Sequence, residues 1–201
     1  MHKVFITYHH DNDQAYKERL LSINDLHGVF IDKSVDTGDI SDSLSDESIR
    51  RIIRDDYLRD STVTILLVGN ETKHRKHIDW ELYSSMIDGS VNKKSGILVI
   101  NLPSANSTSF HAPHGDAEKK AVHPECDQWT HVTTREEYEQ LYPKMPARII
   151  DNLLAPSALI SVVPWDKACD PQKLRILVEF AFRDRSACGY DLSRSMRRQN
   201  G

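Results

Sequence analysis

The chain has 201 residues, a net charge of −4 and a sequence pI near 6.2. This is room for one α/β domain with an elaborated region, and the charge offers no broad basic field to hold a phosphate backbone, which excludes nucleic acid as the main ligand. Three widely spaced cysteines, Cys126, Cys169 and Cys188, form no disulfide framework and suit a reducing cytoplasm.

Met1-His2-Lys3 leads straight into an apolar strand, Val4-Phe5-Ile6, which predicts no signal peptide and a cytoplasmic protein. Asp11, with Gln14 three residues on, predicts a capped helix whose Tyr16, Leu20 and Ile23 share a face. Gly28 is suited to end that helix in the left-handed conformation. Val29-Phe30-Ile31 reads as the second strand, and a polar loop, Lys33–Asp42, follows around Gly38. The second helix begins near Ser43–Asp46, with Ile49, Ile52, Ile53 and Tyr57 as its buried stripe.

Thr62–Val68 is nearly continuous in apolar and β-branched residues, as a parallel strand covered on both faces must be. A helix carrying Ile78, Leu82 and Met86 on one face comes next, then a fourth strand at Gly96–Leu102. From Asn101 to Thr133 the chain is rich in Ser, His, Pro and Asn without periodicity, which predicts a long surface excursion serving as a lid or partner contact. Short helices at Glu136–Tyr142 and Pro146–Leu154 precede a fifth strand, Ala158–Val163. Asp170 and Pro171 mark the start of the last helix. Arg194, Arg197 and Arg198 then read as a solvated tail.

The alternation predicts an open parallel sheet of about five strands with helices on both faces, a single domain over 1–201. Its parts are core motifs over 1–102, an elaboration over 103–157, the last strand and helix over 158–185, and a tail over 186–201. Ligands of such sheets bind beyond the carboxyl ends of the strands. The longest apolar runs, Ile65–Val68 and Ile97–Ile100, are too short to span a bilayer, so no membrane partner is expected.

Familiar nucleotide sites are absent. Neither the P-loop pattern nor G-x-G-x-x-G occurs. A phosphoacceptor receiver would use Asp11, Asp13 and Lys167, but the third strand ends Val68-Gly69-Asn70, without the aspartate that takes the phosphoryl group. His111-x-x-His114 and His123-x-x-Cys126 have metal-ligand spacing, yet structural zinc sites are usually richer in cysteine, so no metal is expected there.

Three segments in order carry a resemblance. Val4-Phe5-Ile6-Thr7-Tyr8 resembles the first box of TIR domains. Phe30-Ile31-Asp32 followed by Gly38-Asp39-Ile40 is similar to their second strand and BB loop. His77-Ile78-Asp79-Trp80-Glu81-Leu82 is similar to the segment written W-C-x-x-E-L, with Glu81 in the place of the catalytic glutamate. His77 and Ile78 depart from that pattern, and the BB loop lacks the proline common in receptor TIR domains, which argues against an animal-type adaptor. The likeness is closest to the bacterial TIR-like group that includes the TIR protein of the Thoeris anti-phage system.

The resemblance implies a flavodoxin-like fold and an enzyme that cleaves the nicotinamide–ribose bond of NAD⁺, with NAD⁺ as substrate and no separate cofactor. The product would be ADP-ribose or a cyclic ADP-ribose-type nucleotide that reaches an effector protein. Nicotinamide leaves a cationic nucleotide without protonation, so the ribose becomes oxocarbenium-like and a carboxylate beneath it stabilises the developing charge. The resemblance implies that role for Glu81, substrate contacts for Tyr8, His9 and Asp32, and self-association through the loop of Asp36, Gly38 and Asp39. Phe5 is expected in the core, and Trp80 and Tyr83 as packing residues. The alternative is a TIR scaffold that self-associates and recruits partners without catalysis.

Overall fold

A computed structural model describes residues 1–34, 43–89 and 92–201. Five parallel strands form one sheet: β1 Lys3–Thr7, β2 Ile31–Asp32, β3 Val63–Val68, β4 Gly96–Asn101 and β5 Ser161–Pro164, in the order β2-β1-β3-β4-β5. The direction of winding reverses between β1 and β3, so the crevice beyond their carboxyl ends is the expected ligand position. The helices are α1 His10–His27, α2 Asp46–Ile52, α3 Lys76–Met86, α4 Asp116–Val122, α5 Arg135–Leu141, α6 Ala147–Leu154, α7 Trp165–Ala168 and α8 Pro171–Asp184.

Every residue of β3 and β4 is buried, and the strand period of two sends their side chains to two different cores. Ile65, Leu67, Leu98 and Ile100 pack with Leu20 of α1 and Leu174, Leu177 and Val178 of α8. Leu66, Val68, Ile97 and Val99 pack on the other face with Ile78, Leu82 and Met86 of α3 and Ile149, Ile150 and Leu153 of α6. A third cluster joins Phe5, Ile49, Ile53, Trp80 and Met196. Phe5 and Trp80 are therefore core residues, as expected. Gly96 permits the closest contact in this packing, because an added Cβ would stand 1.9 Å from the carbonyl oxygen of Ala181 in α8.

Local signals account for most boundaries. Gly28 closes α1 with φ 58° and its N–H on the Asn24 carbonyl. Asp170 caps α8, its Oδ1 accepting from the main-chain nitrogens of Gln172 and Lys173 at 2.9 and 3.2 Å. At the start of α1 the expectation fails: the helix begins at His10, and Asp11 lies within the first turn and does not cap it. There the carboxylate favours the helix dipole without the N-cap bond. The second strand is also shorter than the apolar run suggests, because Val29 and Phe30 enter the core before pairing begins at Ile31.

Two further expectations are overturned. The 103–133 segment is no open excursion. It holds α4, which packs on α8, and His111 pairs with Val162 of β5 through main-chain bonds of 2.9 Å in each direction. Fewer than two turns of helix leave no periodicity to detect, although the order Asp116, Glu118, Lys119, Lys120 does complement a helix dipole. Nor is the 186–201 segment a solvated tail. It returns across α3 and α6: Trp80 Nε1 donates to the Arg197 carbonyl at 2.7 Å, and Met196 is buried. Among the described residues no helix is long and apolar enough to cross a membrane.

Candidate functional site

A cleft of about 230 Å³ opens at the crevice between β1 and β3. One wall is the end of β1 and the start of α1, where Tyr8, His9, His10 and Asp11 follow one another. The opposite wall is α3, which presents His77, Ile78 and Glu81, neighbours on one helical face at spacings of one, three and four. Arg75, the residue before α3, and Asn200 complete the lining.

Glu81 is only 5% exposed. Its Oε2 accepts a short hydrogen bond from Thr7 Oγ1, the last residue of β1, so the carboxylate of one wall is oriented by the hydroxyl of the other. Strand register fixes this geometry, since Thr7 pairs with Leu66 of β3 and α3 follows β3 through a short turn. In that turn Thr72 Oγ1 accepts from the main-chain nitrogen of Gly69 at 2.8 Å.

Tyr8 stacks on His10 with ring centroids 4.4 Å apart and an interplanar angle of 6°, and its hydroxyl donates to Gln14 Oε1 at 2.5 Å. The Lys17 ammonium lies 5.1 Å above the same ring. His9 is buried, its Nε2 3.7 Å from Asp11 Oδ2 and its Nδ1 without a hydrogen-bond partner among the described residues. Burial, and then the nearby Arg75 charge, hold its pKa below the usual histidine value, so the ring is neutral around pH 7. Behind this wall Asp13 is buried, its Oδ2 without a partner among the described residues, and desolvation raises its pKa to about 6.

Of the residues expected at the site, Glu81, Tyr8 and His9 meet in the cleft. Asp32 does not. It pairs with Val4, four residues before Tyr8, which leaves it about 13 Å short of the rim at roughly 3.3 Å per residue. Its exposed carboxylate accepts from the Ser34 main-chain nitrogen at 2.9 Å, a turn-forming role. Asp36, Gly38 and Asp39 lie outside the described residues. Thr7, Arg75, His77 and Asn200 were missed as site residues. Thr7 and His77 stand inside the first and third boxes of the TIR resemblance and were within reach. Nothing in the sequence pointed to Asn200, which arrives only because the 186–201 segment folds back: its Oδ1 accepts from the Lys76 main-chain nitrogen at 3.0 Å.

The histidines of the 103–133 segment are engaged elsewhere. His114 Nδ1 pairs with Asp184 Oδ2 at 2.7 Å, His123 stacks on Phe110 at 3.9 Å, and Cys126 Sγ lies 3.0 Å from the Gln128 carbonyl. Among the described residues no three His, Cys, Asp or Glu side chains converge as metal ligands do.

A five-stranded parallel sheet of this order, with a glutamate from the helix after β3 facing the end of β1, defines a TIR-type domain of flavodoxin-like fold. Residues 5–107, half of the chain, match the family described as Thoeris protein ThsB, TIR-like domain, and the chain belongs to that family. Membership points to a part in anti-phage defence, and to self-association or contact with partner proteins. No curated protein and no solved structure matches the chain.

Proposed function

We propose that this protein consumes NAD⁺ by breaking the nicotinamide–ribose bond, with Glu81 as the catalytic carboxylate. The observation that carries the reading is the pairing of a nearly buried Glu81 with Thr7 in a cleft at the switch point of the sheet. A carboxylate held in that setting needs no rearrangement to stabilise an oxocarbenium-like ribose, and low solvent access strengthens its field. Thr7 limits the rotation of Glu81. The stacked Tyr8–His10 pair offers an aromatic wall of the kind a nicotinamide ring packs against, and a neutral His9 adds no repulsion toward that cationic ring. Arg75 supplies positive charge for the diphosphate. Water as acceptor gives ADP-ribose, and a nucleophile within the same ADP-ribosyl unit gives a cyclic nucleotide. Either would act as a signal to an effector.

The test is chromatography of NAD⁺ incubated with concentrated protein and with Glu81→Gln. The substitution keeps the size of the side chain and its bond from Thr7 but removes the charge. Turnover should fall by about 10²–10³, the loss typical of one preorganised electrostatic group, with the melting temperature retained. Consumption of NAD⁺ by the variant at the parent's rate would remove Glu81 from the mechanism. A parent that leaves NAD⁺ intact in this assay would favour the scaffold.

A further inference from the structure

Beside the cleft, and sharing Arg75 with it, lies a second cavity of about 250 Å³. Five cationic residues line it: Lys73 and Arg75 from the turn before α3, Arg148 from the first turn of α6, and Arg194 and Arg197 from the returning segment. Among the described residues the one acid in the lining is Asp79.

That acid is already committed. Asp79 receives Arg148 Nε and Nη2 at 2.8 and 3.0 Å, and its Oδ2 also accepts from the Arg197 main-chain nitrogen at 2.8 Å. Arg194 is taken by Asp151. Three cations are left over. Among the described residues neither Arg75 nor Arg197 has a carboxylate within ion-pairing distance, and Lys73 Nζ donates only to the Pro143 carbonyl at 2.8 Å. Arg75 Nε is buried without an acceptor among the described residues. The guanidinium of Arg197 is not what docks its own segment, because the contacts that do so come from its main chain, the nitrogen to Asp79 and the carbonyl from Trp80.

Like charges gathered in a partly enclosed space repel one another, and a buried guanidinium nitrogen without an acceptor adds a desolvation penalty. An anion that enters offsets both costs. We propose that this cavity binds a phosphate-bearing small molecule, whose oxygens are held by the guanidinium groups of Arg75 and Arg197 and the ammonium of Lys73. Forked guanidinium donors match phosphate geometry, and among the described residues the remaining lining of Pro146, Ala147, Ser195 and Met196 offers no aromatic ring on which a base could stack, so the phosphate is the part recognised. Occupancy is felt at the cleft, because Arg75 lines both spaces and the segment bearing Arg197 also delivers Asn200.

The inference shares Arg75 with the proposed catalytic cleft but does not depend on NAD⁺ cleavage, so its test is a binding measurement. Calorimetric titration of the full chain with inorganic pyrophosphate at low ionic strength should show one equivalent bound. Arg197→Gln and Arg75→Gln, each checked for an unchanged melting temperature, should weaken it by about tenfold or more, while Glu81→Gln should bind as the parent does. Repeating the titration on Glu81→Gln saturated with NAD⁺ separates two sources of the phosphate. Loss of pyrophosphate binding, together with weaker NAD⁺ binding by Arg197→Gln, identifies the site with the dinucleotide's own diphosphate, because Arg197 lines the second cavity and not the cleft. Unchanged pyrophosphate binding identifies a separate phosphorylated ligand. Absence of binding to the parent, or binding that neither arginine substitution weakens, would overturn the proposal.

Discussion

Two parts of this molecule are rich in histidine, and the fold uses them in opposite ways. His9, His10 and His77 line the cleft at the crevice between β1 and β3. His111, His114 and His123 belong to the 103–133 segment, where one pairs with a strand, one with Asp184 and one with an aromatic ring. The residue type does not separate them. What separates them is whether the backbone carrying the ring ends at an open sheet edge or is packed between α8 and β5.

The two regions are also secured by different forces, and the largest expected effect tests this. The cleft wall rests on the ion pair of Asp79 with Arg148, a side chain with no exposed surface, which ties α3 to α6. Asp79→Asn leaves that guanidinium buried and uncompensated, at a cost of about 3–5 kcal/mol. Denaturant unfolding should show this loss, and a loss under about 1 kcal/mol would mean that the pair behaves as a surface bridge.

The 103–133 region instead holds the buried ring of His123. Desolvation lowers the pKa of His123 to about 4, with both ring nitrogens buried and without partners among the described residues. The unfolded ring titrates near 6.5, so between these values the unfolded state binds more protons than the folded state. The stability that His123 contributes is therefore present above pH 6.5 and is lost as the pH falls toward 4, by about 1–3 kcal/mol. His123→Phe, which keeps the stack on Phe110, should flatten the acid side of the stability profile. A parent and variant with parallel profiles from pH 7 to pH 4 would show that the ring is not kept neutral by burial.

Asp13, behind the cleft wall, has the opposite sign. Its pKa is raised to about 6 by desolvation, so the folded state binds the extra proton, and stability falls as the pH rises from the ordinary aspartate range through 6. Asp13→Asn should stabilise the protein at pH 8 by about 1–2 kcal/mol, the favourable first-turn charge having been given up. The gain should vanish toward pH 4. A gain that persists at pH 4 would point to packing as its cause. The cleft side thus weakens in base and the 103–133 side in acid.

Much of the site was legible because its parts lie in short, ordered motifs. The strand Val4–Tyr8 and the helical run His77–Leu82 each announce their element, and the alternation of elements implies the parallel sheet that brings them face to face. Asp32 shows the limit of that reading: a residue at the end of an apolar run looks like a strand-end ligand contact until the register with Val4 sets it below the rim. Asn200, Arg197 and α4 show another limit. Their positions follow from contacts between residues far apart in the chain, such as Trp80 with Arg197 and α4 with α8, which no local pattern encodes.

By itself the sequence determined the fold class, the order of the strands and of the helices other than α4 and α7, the N-cap at Asp170 and the left-handed close at Gly28, because each follows from period, propensity or the backbone freedom of one residue. Only the tertiary structure decided which polar side chains share a space. It turned Glu81 toward Thr7, buried His123 against Phe110, and carried the arginines of 186–201 back over α3. The physical reason is that a buried charge or donor is set by the partner that reaches it, and that partner can come from anywhere in the chain.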